Sequence, residues 1–117
     1  MVSIDCRVRA GDLGAIVEQH GRLYRAEYHL DERFEAYVAA GVGAAVLSEA
    51  SPPARFWVVR DGEQLLGSAA VCPASERVGQ FRWFLLDPRV RGRGVGRQLL
   101  DKALEHSRAV AYRAVFL

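Results

Sequence analysis

The segment Arg91-Gly92-Arg93-Gly94-Val95-Gly96-Arg97 constrains the fold more than any other stretch of this 117-residue chain. Ahead of it stands an apolar run, Trp83-Phe84-Leu85-Leu86, closed by Asp87-Pro88. Behind it Leu99, Leu100, Ala103, Leu104 and Ser107 recur at helical spacing. A strand that passes through a glycine-rich turn straight into a helix is an α/β element. The turn also suits an anion, for three separate reasons. Glycines at 92, 94 and 96 remove Cβ obstruction and permit positive φ. The helix that begins here offers unpaired N–H groups and the positive end of its dipole. Arg91, Arg93 and Arg97 add guanidinium forks that match phosphate oxygens.

The spacing narrows which phosphate loop this is. A Walker loop needs Gly-Lys-Ser/Thr, and the chain contains no such tripeptide. The dinucleotide fingerprint G-x-G-x-x-G fails, because Arg97 and Leu99 stand where its third glycine would fall. The spacing that fits is R-x-x-G-x-G, with Arg91, Gly94 and Gly96. Between that strand and that helix it resembles the acyl-CoA pyrophosphate loop of the GNAT superfamily of N-acetyltransferases. The competing reading is a Gly/Arg-rich surface loop that only caps a helix.

Length and composition set bounds. A chain of this size forms one domain with a single core, so 1–117 reads as one unit. Hydrophobic residues make up 50% of it with charge spread evenly, which excludes a disordered or collagen-like chain. It has no run of apolar residues long enough to span a bilayer, and Met1-Val2-Ser3-Ile4-Asp5-Cys6-Arg7 lacks the apolar core of a signal peptide. The expectation is a soluble, cytoplasmic protein. Cys6 and Cys72 match neither C-x-x-C nor a zinc spacing and are expected as buried thiols, with no metal site. The net charge of +2 is too small to imply nucleic acid. Lys102 is the one lysine, so the arginine excess reflects general codon usage; only the density at Arg89, Arg91, Arg93 and Arg97 carries functional weight.

The remaining pattern predicts β-α-α-β-β-β-α-β. Ile4 to Arg9 alternates as a half-buried strand. Asp12 is expected to cap a helix over 13–28, and Asp31 a second one whose middle is weakened by Gly41 and Gly43. Apolar runs at Phe56–Arg60 and Gln64–Val71 flank Asp61-Gly62, a hairpin signal of type I′. A polar link from Pro73 to Arg77 precedes a strand at Gly79–Leu86, and Tyr112–Leu117 starts another strand. His20 and His106 are expected on the surface.

This order is similar to the first part of the GNAT fold, an α/β architecture with a mixed, mostly antiparallel sheet flanked by helices. The last helix and strands of that fold lie beyond Leu117, so the chain reads as a C-terminally incomplete GNAT-like domain. Gly21 to Tyr28 with Asp31 to Glu35 also resembles the front helices of GNAT domains fused to MarR-type regulators. The resemblance implies acetyl-CoA as co-substrate. Backbone groups of Phe84, Leu85 and Leu86 would hold its pantetheine, and Arg91, Gly92, Arg93, Gly94, Val95, Gly96 and Arg97 its phosphates, with Arg93 reaching the 3′-phosphate. It places the carbonyl-polarising N–H near Leu86. The tyrosine that often protonates the leaving thiolate sits in a helix not present here.

Substitutes for that tyrosine come from the helix junction, where Glu27 or His29 could accept a proton through water and Tyr28 donate one. Tyr24 and Tyr28 equally continue an apolar stripe, and Glu27 equally reads as a solvated helix residue. The implied function is acetyl transfer to an amine of a small molecule or protein. The alternative is a catalytically incomplete remnant that binds acyl-CoA or a partner without turnover. A nucleic-acid role for the arginines lacks the interleaved aromatics it needs. The uncovered edge of the last strand predicts a homo-oligomer.

Overall fold

The computed structural model describes residues Met1–Leu117. Five strands form one sheet in the order β1 (Val2–Asp5), β2 (Arg55–Asp61), β3 (Gln64–Ser75), β4 (Val78–Leu86), β5 (Ala114–Phe116). The first four pair antiparallel, and β5 joins β4 in parallel. Helices α1 (Asp12–Tyr28) and α2 (Glu32–Leu47) cover one face, and α3 (Val95–Ala109) covers the other. The predicted element order is therefore observed, as three layers.

The sheet is buried on both faces, which explains why β2 and β3 read as continuous apolar runs. Phe56, Val58, Ala70 and Cys72 pack with Ile16, Val38 and Val42 under α1 and α2. Their alternates Trp57, Val59, Ala69 and Val71 pack with Phe81, Leu99 and Ala103 under α3. In α3, Val95, Leu99, Ala103 and Ser107 are the buried positions, a stripe one turn apart.

Several boundaries differ from expectation for identifiable reasons. β1 ends at Asp5 rather than Arg9, because its carboxylate takes the Arg7 N–H at 2.9 Å and turns the chain toward α1. The hairpin turn is centred on Gly62-Glu63, with Asp61 paired to Gln64. Positive φ occurs at Gly62 (60°) and not at Glu63, so the turn has the II′ pattern rather than I′. β3 runs on to Ser75 through Pro73, past the predicted break. Asp31 caps α2 as expected, accepting from the Arg33 N–H at 3.0 Å.

Asp12 is not a cap. Its carboxylate takes both terminal nitrogens of Arg60 at 2.8 and 2.5 Å, and the two side chains are 8% and 5% exposed. The Arg60 guanidinium holds the Asp12 carboxyl below the usual carboxylate range. His20 is likewise not on the surface: it is on the buried face of α1, its Nδ1 lying 2.8 Å from the Ile16 carbonyl, and burial pushes its pKa down. His106 is half-buried, edge-on to Trp57, and lowered mainly by desolvation. Cys72 is buried as predicted, whereas Cys6 is exposed.

Candidate functional site

Where β4 reaches the end of α1, its pairing with β3 is broken by a bulge. Arg82 stands opposite Ala70 and Leu85 opposite Ser68, so Trp83 and Phe84 share the single position Ala69. Trp83 sits at φ 48°, a region that a bulky residue occupies at a cost of about 1–3 kcal/mol. Neighbours hold it there. The Ser68 hydroxyl donates to the Trp83 carbonyl at 2.8 Å, and the indole stacks on Phe56 at 5.6 Å with an interplanar angle of 3°. The bulge redirects the last residues of β4. Phe84 emerges 45% exposed, while Leu85 stays buried. On its other side, β4 is paired by β5 only over Val78–Gln80, so the edge from Phe81 to Leu86 has no strand beside it.

A turn of 3-10 helix at Pro88–Val90 leads from β4 to the glycine loop. Asp87 anchors it: its N–H donates to the Leu66 carbonyl at 2.7 Å, and its carboxylate receives both the N–H and the Nε of Arg89 at 2.9 Å. In the loop itself, Gly92 and Gly94 lie at φ 74° and 80°, a left-handed geometry that disfavours any side chain. Gly94 is the residue from which α3 starts. Gln98 is the first in the helix to bond back, to the Gly94 carbonyl at 3.1 Å, and the N–H groups from Gly92 to Arg97 find no backbone acceptor. A Cβ at Gly92 or Gly94 would meet nothing within 4 Å, whereas one at Gly96 would come within 3.2 Å of the Phe84 ring. The loop thus presents a row of free donors on an open surface, and Gly96 lets α3 press against β4. Arg93 and Arg97 are exposed beside it; Arg97 pairs with Asp101 at 3.2 Å, and Arg93 forms no ion pair.

Arg91 behaves differently from the other two. Its guanidinium grips both carboxylate oxygens of Glu27 at 2.8 and 2.9 Å, and its Nε donates to the Leu86 carbonyl at 2.9 Å. Glu27 is therefore neither free nor merely solvated: hydrogen bonding from Arg91 lowers its pKa and makes it a poor proton acceptor. The pair closes one side of a cavity of about 280 Å³ lined also by Tyr24, Tyr28 and residues Phe84 to Leu86. Tyr28 is 63% exposed, and His29 caps α1 from the left-handed region, exposed and outside this cavity. Tyr24 is half-buried in an aromatic stack with Phe34 at 4.4 Å, and burial raises its phenol pKa. So the fold brings Glu27, Tyr28, Phe84, Leu85, Leu86 and Arg91 together, with residues 92 to 97 on the adjoining loop, and leaves His29 aside. The Glu27–Arg91 contact spans 64 positions, and nothing local in the sequence announces it.

Residues 16–117 match the profile of the acetyltransferase (GNAT) family. The chain belongs to that family. Solved structures show the same fold. A GNAT family acetyltransferase from Brucella melitensis, crystallised in complex with acetyl-CoA, superposes with a TM-score of 0.75 over 100% of this chain and 75% of that one at 21% identity. The PaiA N-acetyltransferase of Thermoplasma acidophilum, crystallised with coenzyme A, gives 0.70 over 96% and 75% at 15% identity. Among curated proteins, a mycothiol acetyltransferase of Geodermatophilus obscurus is 40% identical over 80 residues, covering 61% of this chain and 26% of that protein. The chain thus spans about a quarter of the curated relative it matches. No helix is long and apolar enough to cross a membrane, and no cluster of His, Cys, Asp or Glu could hold a metal ion.

Proposed function

We propose that this domain binds acetyl-CoA and transfers the acetyl group to an amine of a small molecule or protein. The observation that carries the reading is the row of unbonded N–H groups from Gly92 to Arg97 at the start of α3, directly beyond the bulged end of β4. Such a row, with the helix dipole behind it and Arg93 free beside it, fits a pyrophosphate. The pantetheine would then run along the unpaired β4 edge at Phe84, Leu85 and Leu86. This brings the thioester to the cavity beneath Tyr24 and Tyr28.

In the reaction a neutral amine attacks the thioester carbonyl, a C–N bond forms, the C–S bond breaks, and the amine's proton leaves to water. The departing thiolate takes one proton. Glu27, held ionised by Arg91, serves position rather than proton transfer. The Tyr24 phenol, whose pKa burial raises above the ordinary 10.0, is protonated at neutral pH, and Tyr24 and Tyr28 are the two hydroxyls on the cavity able to donate. Isothermal titration with acetyl-CoA, followed by thiol release with an amine panel, tests the proposal. Saturable binding and acceptor-dependent release are expected. Binding without release for any amine would leave only the acyl-CoA-binding alternative, and no binding would remove both. Light scattering tests the homo-oligomer expected through β5, whose Phe116 is 47% exposed.

A further inference from the structure

A second depression of about 270 Å³ adjoins the cavity just described and shares Tyr24 and Phe84 with it. Its walls are aromatic: Tyr24, Phe34 and Tyr37 from the two helices face Trp83 and Phe84 of the β4 bulge. One full charge lines it, the guanidinium of Arg82. That group lies 4.3 Å over the Trp83 ring and is seated against α2 at Gly41, where a Cβ would come within 3.2 Å of its terminal nitrogen. Most arginines facing the sheet or the cofactor loop have a carboxylate: Arg60 has Asp12, Arg89 has Asp87, Arg91 has Glu27. Arg82 forms no ion pair, and no Asp or Glu lines the groove.

We propose that this groove seats the body of the amine acceptor, and that the acceptor is aromatic or apolar along its length with a carboxylate at the end remote from the amine. The inference rests on the acetyl-transfer reading, which puts the reacting amine near Leu85 and Leu86. A strand rises about 3.3 Å per ladder position, and Trp83 and Phe84 share one, so Arg82 stands about 7–10 Å back along β4 from that point. The aromatic walls between them favour flat or apolar substituents. A polycation is disfavoured: the groove offers it no carboxylate and one fixed positive charge. The guanidinium, held in place by the indole, is preorganised for a forked bond to a carboxylate.

Matched probes test this. Alanyl-phenylalanyl-phenylalanine spans about 10 Å when extended, and its C-terminal amide differs only in lacking the charge. With acetyl-CoA as donor, the free acid is expected to be used with a KM roughly tenfold or more below that of the amide, the value of a charge-assisted bond. Arg82→Gln should bring the ratio of the two KM values close to one, and Arg82→Lys should restore part of the preference. Equal use of acid and amide, a preference for spermidine, or an Arg82→Gln effect on both peptides alike would overturn the proposal.

A second readout does not need turnover. Titration of the N-acetylated acid and amide, followed by fluorescence of Trp83, should show acid-selective binding that Arg82→Gln abolishes. If acetyl-CoA binds by calorimetry but neither peptide binds selectively, the acceptor proposal falls while the cofactor reading stands. If selective peptide binding occurs without any acetyl-CoA binding, the groove's ligand chemistry stands and the acetyl-transfer reading falls.

Discussion

Helix α1 carries a forked arginine–carboxylate pair at each end, and the two pairs do different work. At its start, Asp12 and Arg60 are 8% and 5% exposed and join α1 to β2. At its end, Glu27 and Arg91 are 31% and 41% exposed and join α1 to the glycine loop. The bond geometry is nearly the same. What differs is water. A buried pair cannot be broken without stranding a charge in a poorly solvated place. An exposed pair exchanges its partner for solvent or for another anion at little cost. The first is an anchor, and the second is a contact that a ligand's phosphate could compete for.

The largest effect that tests this contrast is on stability. Asp12→Ala takes from buried Arg60 its forked partner, leaving only the more distant Asp5 carboxylate at 3.8 Å and the Arg7 carbonyl, and is expected to cost about 3 kcal/mol in denaturant unfolding. Glu27→Ala should leave the unfolding midpoint nearly unchanged; equal losses for the two would break the contrast. Next comes the loop that the exposed pair adjoins. Gly94 lies at φ 80°, so Gly94→Val must distort the start of α3. Loss of acetyl-CoA binding is expected while far-ultraviolet circular dichroism stays native. Unchanged affinity would mean that the loop holds no phosphate.

A smaller effect concerns the free cation on that loop. Arg93→Ala should weaken CoA about tenfold relative to dephospho-CoA, if the guanidinium meets the 3′-phosphate. Equal losses for both ligands would place Arg93 elsewhere.

The smallest expected effect is on pH dependence, and its sign follows from burial. His20 has a folded pKa below its ordinary 6.5, so the unfolded chain binds its proton more readily. Stability from keeping it neutral is present above pH 6.5 and is lost as pH falls below it. His106 acts in the same direction. Asp12, also depressed, holds its contribution until the pH drops below about 3.8. Thermal melts from pH 7 to pH 5 should therefore show a modest decline, smaller in His20→Leu. A decline that begins only near pH 4 would mean that His20 is not buried as a neutral ring.

Local chemistry was legible in the amino-acid sequence. The glycine loop, the helix behind it, the Asp31 cap and the hairpin at Asp61-Gly62 each depend on residues within a few positions of one another, and each formed. The element order followed from periodicity, and the sheet flanked by helices was what the GNAT resemblance implied. The same period misled at Asp12 and His20. A carboxylate just ahead of a helix signals a cap, and a histidine within a helix signals surface, unless a partner arrives from elsewhere. Arg60 arrives from 48 positions away, and buried His20 shares a groove wall with Phe34 of α2 and Gln80 of β4.

Local sequence set which elements form and where the glycine-rich loop lies, since both follow from φ/ψ preference, periodicity and short-range hydrogen bonding. Tertiary structure alone decided the rest. It placed the bulge at Trp83 opposite Ala69, tied Glu27 to Arg91, and left Arg82 as a solitary cation in an aromatic groove. Those outcomes depend on which strands and helices meet. A side chain's charge state and availability are set by the neighbours that packing delivers, and chain order does not name them.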